Sequence, residues 1–203
     1  MTQEVLRYAA YTRDVSGGNP AGGGATGPDR LTDSDMVPIA HSPMSAPSFM
    51  VTPGTVPRWP GMRSAGTVVA RFLATVRHSG DARDAASVLA PRVRAHQITS
   101  EGSTSIERST EEYAAHVREQ LEIFGPFTFQ VTEVLEQADR VFVRWIQRGH
   151  HLRNFDGTPG TGRPIRDVGS AVYRVERDLI AEYWIQLDTF GLVRQLETLR
   201  GRS

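Results

Sequence analysis

The sequence predicts an α+β fold, in which helices pack on one face of a curved antiparallel sheet and an irregular extension comes first. Apolar residues at helical spacing dominate the chain from about residue 64 to 125, and four segments with strand character follow in succession. The composition also changes near residue 64, because eight of the 12 Pro and eight of the 19 Gly lie between Gly17 and Met62. These observations separate an N-terminal extension from one folded domain.

The extension divides into two parts. In residues 1–24, the segment 4–11 reads as a short strand and the segment 16–20 as a turn. Residues 25–64 are predicted to be a disordered linker rich in Pro and Gly, with 24–58 poorly ordered. The folded domain is expected to span 65–203.

Three helices are predicted at the start of this domain. Val69, Phe72, Leu73 and Val76 follow the spacing of a buried helical stripe, which should end near Ser79-Gly80. A second, short helix is capped by Asp81 and ended by Pro91. The third opens at the capping box Ser109-x-x-Glu112 and ends at Gly125-Pro126.

Strands account for most of the remaining domain. A first strand is predicted at 93–98, after the second helix, and four more follow the third helix at about 127–136, 141–152, 165–175 and 179–187. One or two helical turns at 191–196 finish the domain. A pocket is expected between the helices and the sheet.

Composition excludes several classes of function. The chain has 23 basic and 23 acidic residues among 203, so it lacks the excess of positive charge that binding to nucleic acid or to an anionic membrane requires. It contains no apolar run near the length of a membrane span, and its first ten residues contain no apolar signal segment. We therefore expect a cytoplasmic protein that binds neither nucleic acid nor membranes.

The basic residues exclude further chemistry because all 23 are Arg and none is Lys. Schiff-base enzymes, pyridoxal-phosphate enzymes and P-loop proteins all need a Lys amine. The absence of Cys removes thiolate nucleophiles and zinc sites ligated by sulfur. Any catalysis by the chain's own residues must use carboxylates, His, Tyr, Ser or Thr.

From about residue 66 to 197 the sequence resembles the SnoaL-like polyketide cyclases. The residues that carry the resemblance are Arg144-Trp145, Gly149-His150-His151, Phe155-x-Gly157, Thr161-Gly162-Arg163-Pro164, Tyr173-Arg174-Val175-Glu176 and Trp184-x-x-x-Asp188-x-x-Gly191-Leu192-x-x-Gln195-Leu196, together with the link Ser79-Gly80-Asp81. The resemblance implies the cone-shaped fold of nuclear transport factor 2, with helices closing a deep cavity, and a homodimer formed through the outer face of the sheet.

A second resemblance covers only the start of the chain. The segment 5–12 followed by Gly17-Gly18-Asn19-Pro20-Ala21-Gly22 is similar to the opening of the PhzF-like isomerases. The chain then continues into the linker, without that family's catalytic acid or two-domain body. We interpret residues 1–24 as a fragment too short to build a site.

The first resemblance implies a cofactor-independent, acid/base ring closure of the aldol type on a polycyclic aromatic polyketide, in natural-product biosynthesis. It puts the acid/base role on Asp188, at the end of the last strand. By strand alternation, one face carries Ile180, Glu182, Trp184, Gln186 and Asp188, and we assign it to the pocket, while Tyr183, Ile185 and Leu187 form an apolar face for the dimer. The alternative is that Asp188 caps the final helix.

Seven residues besides Asp188 complete the predicted site. His151 occupies a position where the family often has a His, although His150 replaces the preceding Thr, and its alternative is a hydrogen-bonding residue at a loop end. The predicted substrate-binding residues are His96, Trp145, Trp184, Gln186, Phe72 and Phe124. His96 could instead lie at an exposed strand end, and Phe72 and Phe124 could be core residues.

No metal or other cofactor is expected. The alternative functions are a SnoaL-like hydroxylase or hydrolase and a non-catalytic protein that binds a small molecule.

Overall fold

A computed structural model describes residues 48–99 and 102–200. It contains seven strands: β1 (Phe49–Val51), β2 (Leu89–Thr99), β3 (Gly102–Ser109), β4 (Thr128–Gln137), β5 (Arg140–His150), β6 (Pro164–Glu176) and β7 (Leu179–Leu187). The helices are α1 (Ser64–Ala74), α2 (Val76–Ser79), α3 (Ala82–Val88), α4 (Thr110–Phe124) and α5 (Thr189–Arg200). The predicted α+β class is confirmed.

The strands form one curved, unclosed sheet in the order β1-β4-β5-β6-β7-β2-β3. β4, β5, β6 and β7 are antiparallel neighbours, as the succession of four strands predicted. The sheet is mixed, however, because β2 lies parallel to β7. The chain can reach this parallel position because α4 and four strands lie between β2 and β7 in the sequence.

The helices pack against the inner face of the sheet. Phe72, Leu73 and Val76 are buried there, so the predicted stripe is confirmed, although α1 and α2 are separate helices divided at Thr75. Asp81 caps α3 by accepting hydrogen bonds from the backbone of residues 83 and 84. The capping box of α4 is present, with Ser109 and Glu112 bonded to each other's backbone N–H.

Three elements differ from those expected. β3 was not predicted, because its polar sequence has no apolar alternation, and its residues are mostly exposed. β2 runs from Leu89 and includes Pro91, which was expected to end a helix. α5 is longer than the one or two turns expected.

The predicted disordered linker reaches into the described residues. There, Phe49–Val51 pairs with β4, and Trp59 is buried, so the segment from residue 48 onward packs on the domain. The strand and turn predicted in residues 1–24, and most of the linker, lie outside the described residues. Among the described helices, none combines the length and apolar character that crossing a membrane requires.

Candidate active site

A cavity of about 100 Å³ lies between α4 and the inner face of the sheet. Residues from α2, α4, α5, β2, β3, β5, β6 and β7 line it, together with Phe127 just before β4. The polar lining residues are Arg77, Gln97, Thr104, Arg108, Tyr113, His116, Gln120, Gln147, Asp167, Tyr173 and Tyr183. The apolar ones include Phe124, Phe127, Trp145, Ile165, Ile185, Leu187 and Leu192. Such a mixture suits an aromatic ligand that a few polar groups orient.

Trp145 forms the floor of this cavity and is 1% exposed. Its indole stacks on Phe129, with ring centroids 5.4 Å apart. On the β6 side the indole lies against Gly169, where a Cβ would come within 2.6 Å of Trp145 Cζ2. The indole is therefore held between an aromatic ring and a position that only glycine allows.

Asp167 is the carboxylate that lines the cavity, and it projects from β6 on the same face as Gly169 and Tyr173. Its Oδ1 accepts a hydrogen bond from the Val168 backbone N–H at 2.8 Å. The pKa of Asp167 is raised to about 6, mainly by burial; the Val168 hydrogen bond and Arg77 oppose the shift, and the nearby Asp188 charge makes a smaller contribution in the raising direction. A carboxyl group with this pKa can exchange a proton near neutral pH.

Gln147 lies directly opposite Asp167, on β5. Its Oε1 accepts a hydrogen bond from Arg77 Nη2 at 3.1 Å, and the Arg77 guanidinium also lies over the Phe129 ring, 5.9 Å from its centroid. Arg77 thus brings a positive charge from α2 to the Asp167 end of the cavity. This charge favours the ionised form of Asp167.

Two tyrosines face the cavity from adjacent strands, since Tyr173 on β6 is the register partner of Tyr183 on β7. Burial raises the pKa of both hydroxyl groups, and the neighbouring Tyr113 adds a smaller rise, so both are protonated donors at neutral pH. His116 on α4 is neutral, because burial and the charges of Arg108 and Arg77 lower its pKa to about 3. These groups can donate hydrogen bonds to a substrate oxygen.

The raised pKa of Asp167 predicts how the stability of the fold depends on pH. The unfolded chain loses this proton near pH 3.8 and the folded chain only near pH 6, so the free energy of unfolding should fall between these values as the pH rises. Asp167→Asn removes this fall in the free energy of unfolding, because the amide does not titrate. We expect the variant to be more stable than the parent at pH 7.5, by about 1 to 3 kcal/mol, and equal to it near pH 3.5. Urea unfolding at both pH values measures the difference, and a variant that is less stable at pH 7.5 would contradict it.

The structure brings some of the predicted substrate-binding residues to this cavity and not others. Trp145 and Phe124 line it. Phe72 lies in the core behind it, with its ring centroid 5.7 Å from Tyr113 and 5.5 Å from Tyr173, and is not among the lining residues. Phe72 therefore supports the tyrosines from behind.

The face of β7 that lines the cavity is the opposite of the one expected. Tyr183, Ile185 and Leu187 point into it, whereas Trp184 and Gln186 lie on the outer face. The register shifts between Arg174/Glu182 and Val175/Ile180, so buried Ile180 is on the same side as Tyr183 although the two residues are an odd number of positions apart. The apolar face expected to form the dimer is thus used inside the domain, and the dimer itself stays a prediction.

His96 also lies on the outer face of the sheet. Its Nε2 is 2.7 Å from Glu182 Oε1, its Nδ1 is 2.6 Å from Ser105 Oγ, and its ring stacks on Trp184 at 5.1 Å. Glu182 also accepts a hydrogen bond from Arg174 Nε at 2.8 Å. This network ties β2, β3, β6 and β7 together on the side away from the cavity.

Asp188 caps α5, as the alternative interpretation predicted. Its Oδ1 accepts a hydrogen bond from the Gly191 backbone N–H at 2.9 Å, and its carbonyl accepts the first helical bond from Leu192. The side chain is exposed and faces a shallow surface depression beside Gln186 and Phe190. Its backbone N–H donates to Val168 O at 2.9 Å, so its charge acts on Asp167 from nearby.

His151 lies just past the end of β5 and is fully buried, outside the set of residues that line the cavity. Its backbone N–H donates to Arg163 O at 2.9 Å, and its carbonyl accepts from Thr161 and Gly162. The ring Nδ1 is 3.4 Å from Thr161 Oγ1. These contacts hold the loop between β5 and β6, which agrees with the loop-end alternative.

Sequence reasoning missed Asp167, Gln147 and Arg77 as candidates. A signal for Asp167 was available: it interrupts an alternating row of buried small and apolar residues on β6, namely Ile165, Gly169, Ala171 and Tyr173. An acid at such a position faces either the core or a cavity. For Arg77, on a four-residue helix, the sequence carried no comparable signal. In residues 48–99 and 102–200, no group of three or more His, Asp or Glu is placed to hold a metal ion.

Comparison with known proteins agrees with this cavity and fold. The family model of the SnoaL-like polyketide cyclases matches residues 67–196, and the chain belongs to this family. Comparison with curated proteins gives no match.

Solved structures similar to the chain show the same fold. A candidate polyketide cyclase from Acidithiobacillus ferrooxidans is 20% identical, with 70% of this chain and 99% of that one covered and a TM-score of 0.62. IdmH, a candidate polyketide cyclase from Streptomyces antibioticus, is 24% identical, with coverages of 66% and 99% and a TM-score of 0.57. AclR, a candidate hydroxylase from Streptomyces galilaeus, is 16% identical, with coverages of 66% and 81% and a TM-score of 0.55.

Proposed function

We propose that the protein is a polyketide cyclase that closes a ring on an aromatic polyketide by an intramolecular aldol reaction, with Asp167 as the acid/base. The observation that carries this proposal is the half-buried Asp167 carboxyl in an aromatic cavity, with a pKa of about 6. Membership of the SnoaL-like family supports the substrate class. The expected roles of Asp188 and His151 stay predictions, and the geometry favours Asp167 because it faces the cavity.

In the proposed reaction, the Asp167 carboxylate removes a proton from a carbon flanked by carbonyl groups. The enolate carbon then forms a C–C bond to a carbonyl carbon of the same molecule, and the resulting alkoxide takes a proton from Asp167. Product and substrate have the same mass, and Asp167 returns to its starting state. Tyr173, Tyr183 and Arg77 line the same cavity and would stabilise the negative charge on the enolate oxygen.

In this mechanism Asp167 both accepts the proton from the substrate carbon and returns it to the alkoxide. The carboxylate must be ionised to act as a base and protonated to act as an acid, and a pKa near the working pH serves both steps. An aromatic polyketide also delocalises the enolate charge, so the protein needs to stabilise less of that charge. The mechanism thus uses only groups that the chain itself provides.

Comparison of metabolites tests the proposed reaction. A producing strain with the natural protein is compared by mass spectrometry with a strain that carries Asp167→Asn. Accumulation of a compound with the same mass as the lost product supports ring closure. A difference of one oxygen would favour a hydroxylase, a difference of one water a hydrolase or dehydratase, and an unchanged profile a protein that binds without catalysing.

The pH dependence of kcat/KM is a second test of Asp167. Because the base must be ionised, the rate should rise as the pH increases through about 6 and then level off. Asp188→Asn removes a nearby negative charge that raises the pKa of Asp167. The pH at which kcat/KM rises should therefore be lower in this variant, while the plateau value stays within about threefold of the parent. The same pH for the rise in Asp188→Asn and in the parent, or a kcat/KM independent of pH between 5 and 8, would contradict the assignment of Asp167 as the base.

A further inference from the structure

The charges that line the cavity are not balanced. Two guanidinium groups face it, from Arg77 and Arg108, and Asp167 provides the single carboxylate among the described lining residues. His116, which lies between these groups, is neutral because its pKa is lowered to about 3. The lining therefore carries more positive than negative charge at neutral pH.

The two arginines serve different parts of the cavity. Arg77 is hydrogen-bonded to Gln147, the register partner of Asp167, so it belongs to the acid/base end. Arg108 comes from β3, the edge strand, and lies close enough to Tyr183 to oppose the rise in the pKa of its hydroxyl group. Both are close enough to His116 to lower its pKa, which places Arg108 within the same enclosed space.

The acidic residues Glu107 and Glu112, close to Arg108 in the sequence, have other partners. Glu107 pairs with Arg92 on the outer face of the sheet. Glu112 accepts the capping hydrogen bond from the Ser109 backbone N–H at 2.7 Å. Within the described part of the chain, Arg108 forms no ion pair with a carboxylate of the protein at 4.0 Å or less. A half-buried guanidinium beside apolar walls is stabilised by an anionic partner, and its planar donors fit a carboxylate.

We propose that the cavity selects an aromatic substrate that carries a free carboxylate, and that Arg108 binds this carboxylate while the reacting carbon lies at Asp167. This inference rests on the proposed function and adds the ionic class of the substrate. It makes Arg108 a specificity-determining residue. The neutral ester of the same substrate would lack its ionic partner and leave Arg108 desolvated.

The test is a binding measurement with two matched probes, anthraquinone-2-carboxylate and its methyl ester, followed at pH 8 by quenching of tryptophan fluorescence. The acid should bind roughly 10- to 100-fold more tightly than the ester, as expected for a charged hydrogen-bonded pair. Arg108→Gln should abolish this preference and change the affinity for the ester less than about threefold. Arg108→Lys should keep part of the preference, because it keeps the charge.

Arg94→Gln is the matched control, since Arg94 lies on the outer face with 57% of its side chain exposed, and it should leave both affinities unchanged. Thermal melting confirms that each variant is folded. Equal affinities for acid and ester, a preference that persists in Arg108→Gln, or binding of neither probe would overturn the inference. If the preference is present but Asp167→Asn retains full turnover, the inference stands and the proposed catalytic role fails.

Discussion

Asp167→Asn is expected to lower turnover by about 100- to 10,000-fold, the range that loss of a general acid/base causes. The amide cannot accept the proton, but it keeps the size of the side chain and can still accept the hydrogen bond from the Val168 N–H. Substrate affinity should therefore change little. Steady-state kinetics on the polyketide identified by the metabolite comparison measures the effect as a change in kcat.

Asp188→Asn is the matched control, because Asn caps helices about as well as Asp and the Gly191 N–H keeps its acceptor. This variant should remain folded and active, with only the pH shift described above. If Asp188→Asn abolished turnover while Asp167→Asn did not, the acid/base role would return to Asp188, where the family resemblance had put it.

Gly169→Ala is expected to lower the free energy of unfolding by about 1 to 3 kcal/mol, since it overpacks a close contact in the core. The new Cβ would lie 2.6 Å from Trp145 Cζ2 and 2.7 Å from Leu187 Cδ2, so both side chains must move. Because both line the cavity, the binding of aromatic probes should also weaken. Urea unfolding and tryptophan fluorescence measure the two effects.

Ser170→Ala provides the control on the same strand, because Ser170 lies on the outer face, opposite Arg144 and Gln186. It should change stability by no more than about 0.5 kcal/mol and leave probe binding unchanged. If the Gly169→Ala variant matched the parent in stability and in tryptophan emission, the position of the Trp145 indole would not depend on this glycine.

Two of the predicted binding residues lie where regular periodicity predicts them. Trp145 and Phe124 were expected at the cavity and line it, because strand alternation on β5 and helical spacing on α4 are regular. On β7 the same reasoning assigned the wrong face. A mixed row of Trp, Glu, Gln and Asp suggests a pocket, but here it forms a hydrogen-bonded outer surface with His96 and Arg174.

The register shift beside Ala181 explains why alternation alone could not place Ile180 on the correct face of β7. Ile180 and Tyr183 are both buried on the inner side, although a regular strand would send them to opposite faces. A bulge of this kind depends on the pairing of β7 with β6 and β2, which a single strand's sequence does not record.

By itself, the sequence determined the α+β class, the helical stripe of α1 and α2, the caps of α3 and α4, and the succession from β4 to β7, because each depends on local periodicity and capping chemistry. It also excluded catalysis through the chain's own Lys or Cys, since neither residue occurs. Only the tertiary structure decided that Asp167, Gln147, Arg77 and Arg108 face one cavity. These residues lie on β6, β5, α2 and β3, and only the curvature and strand order of the sheet bring them to one cavity.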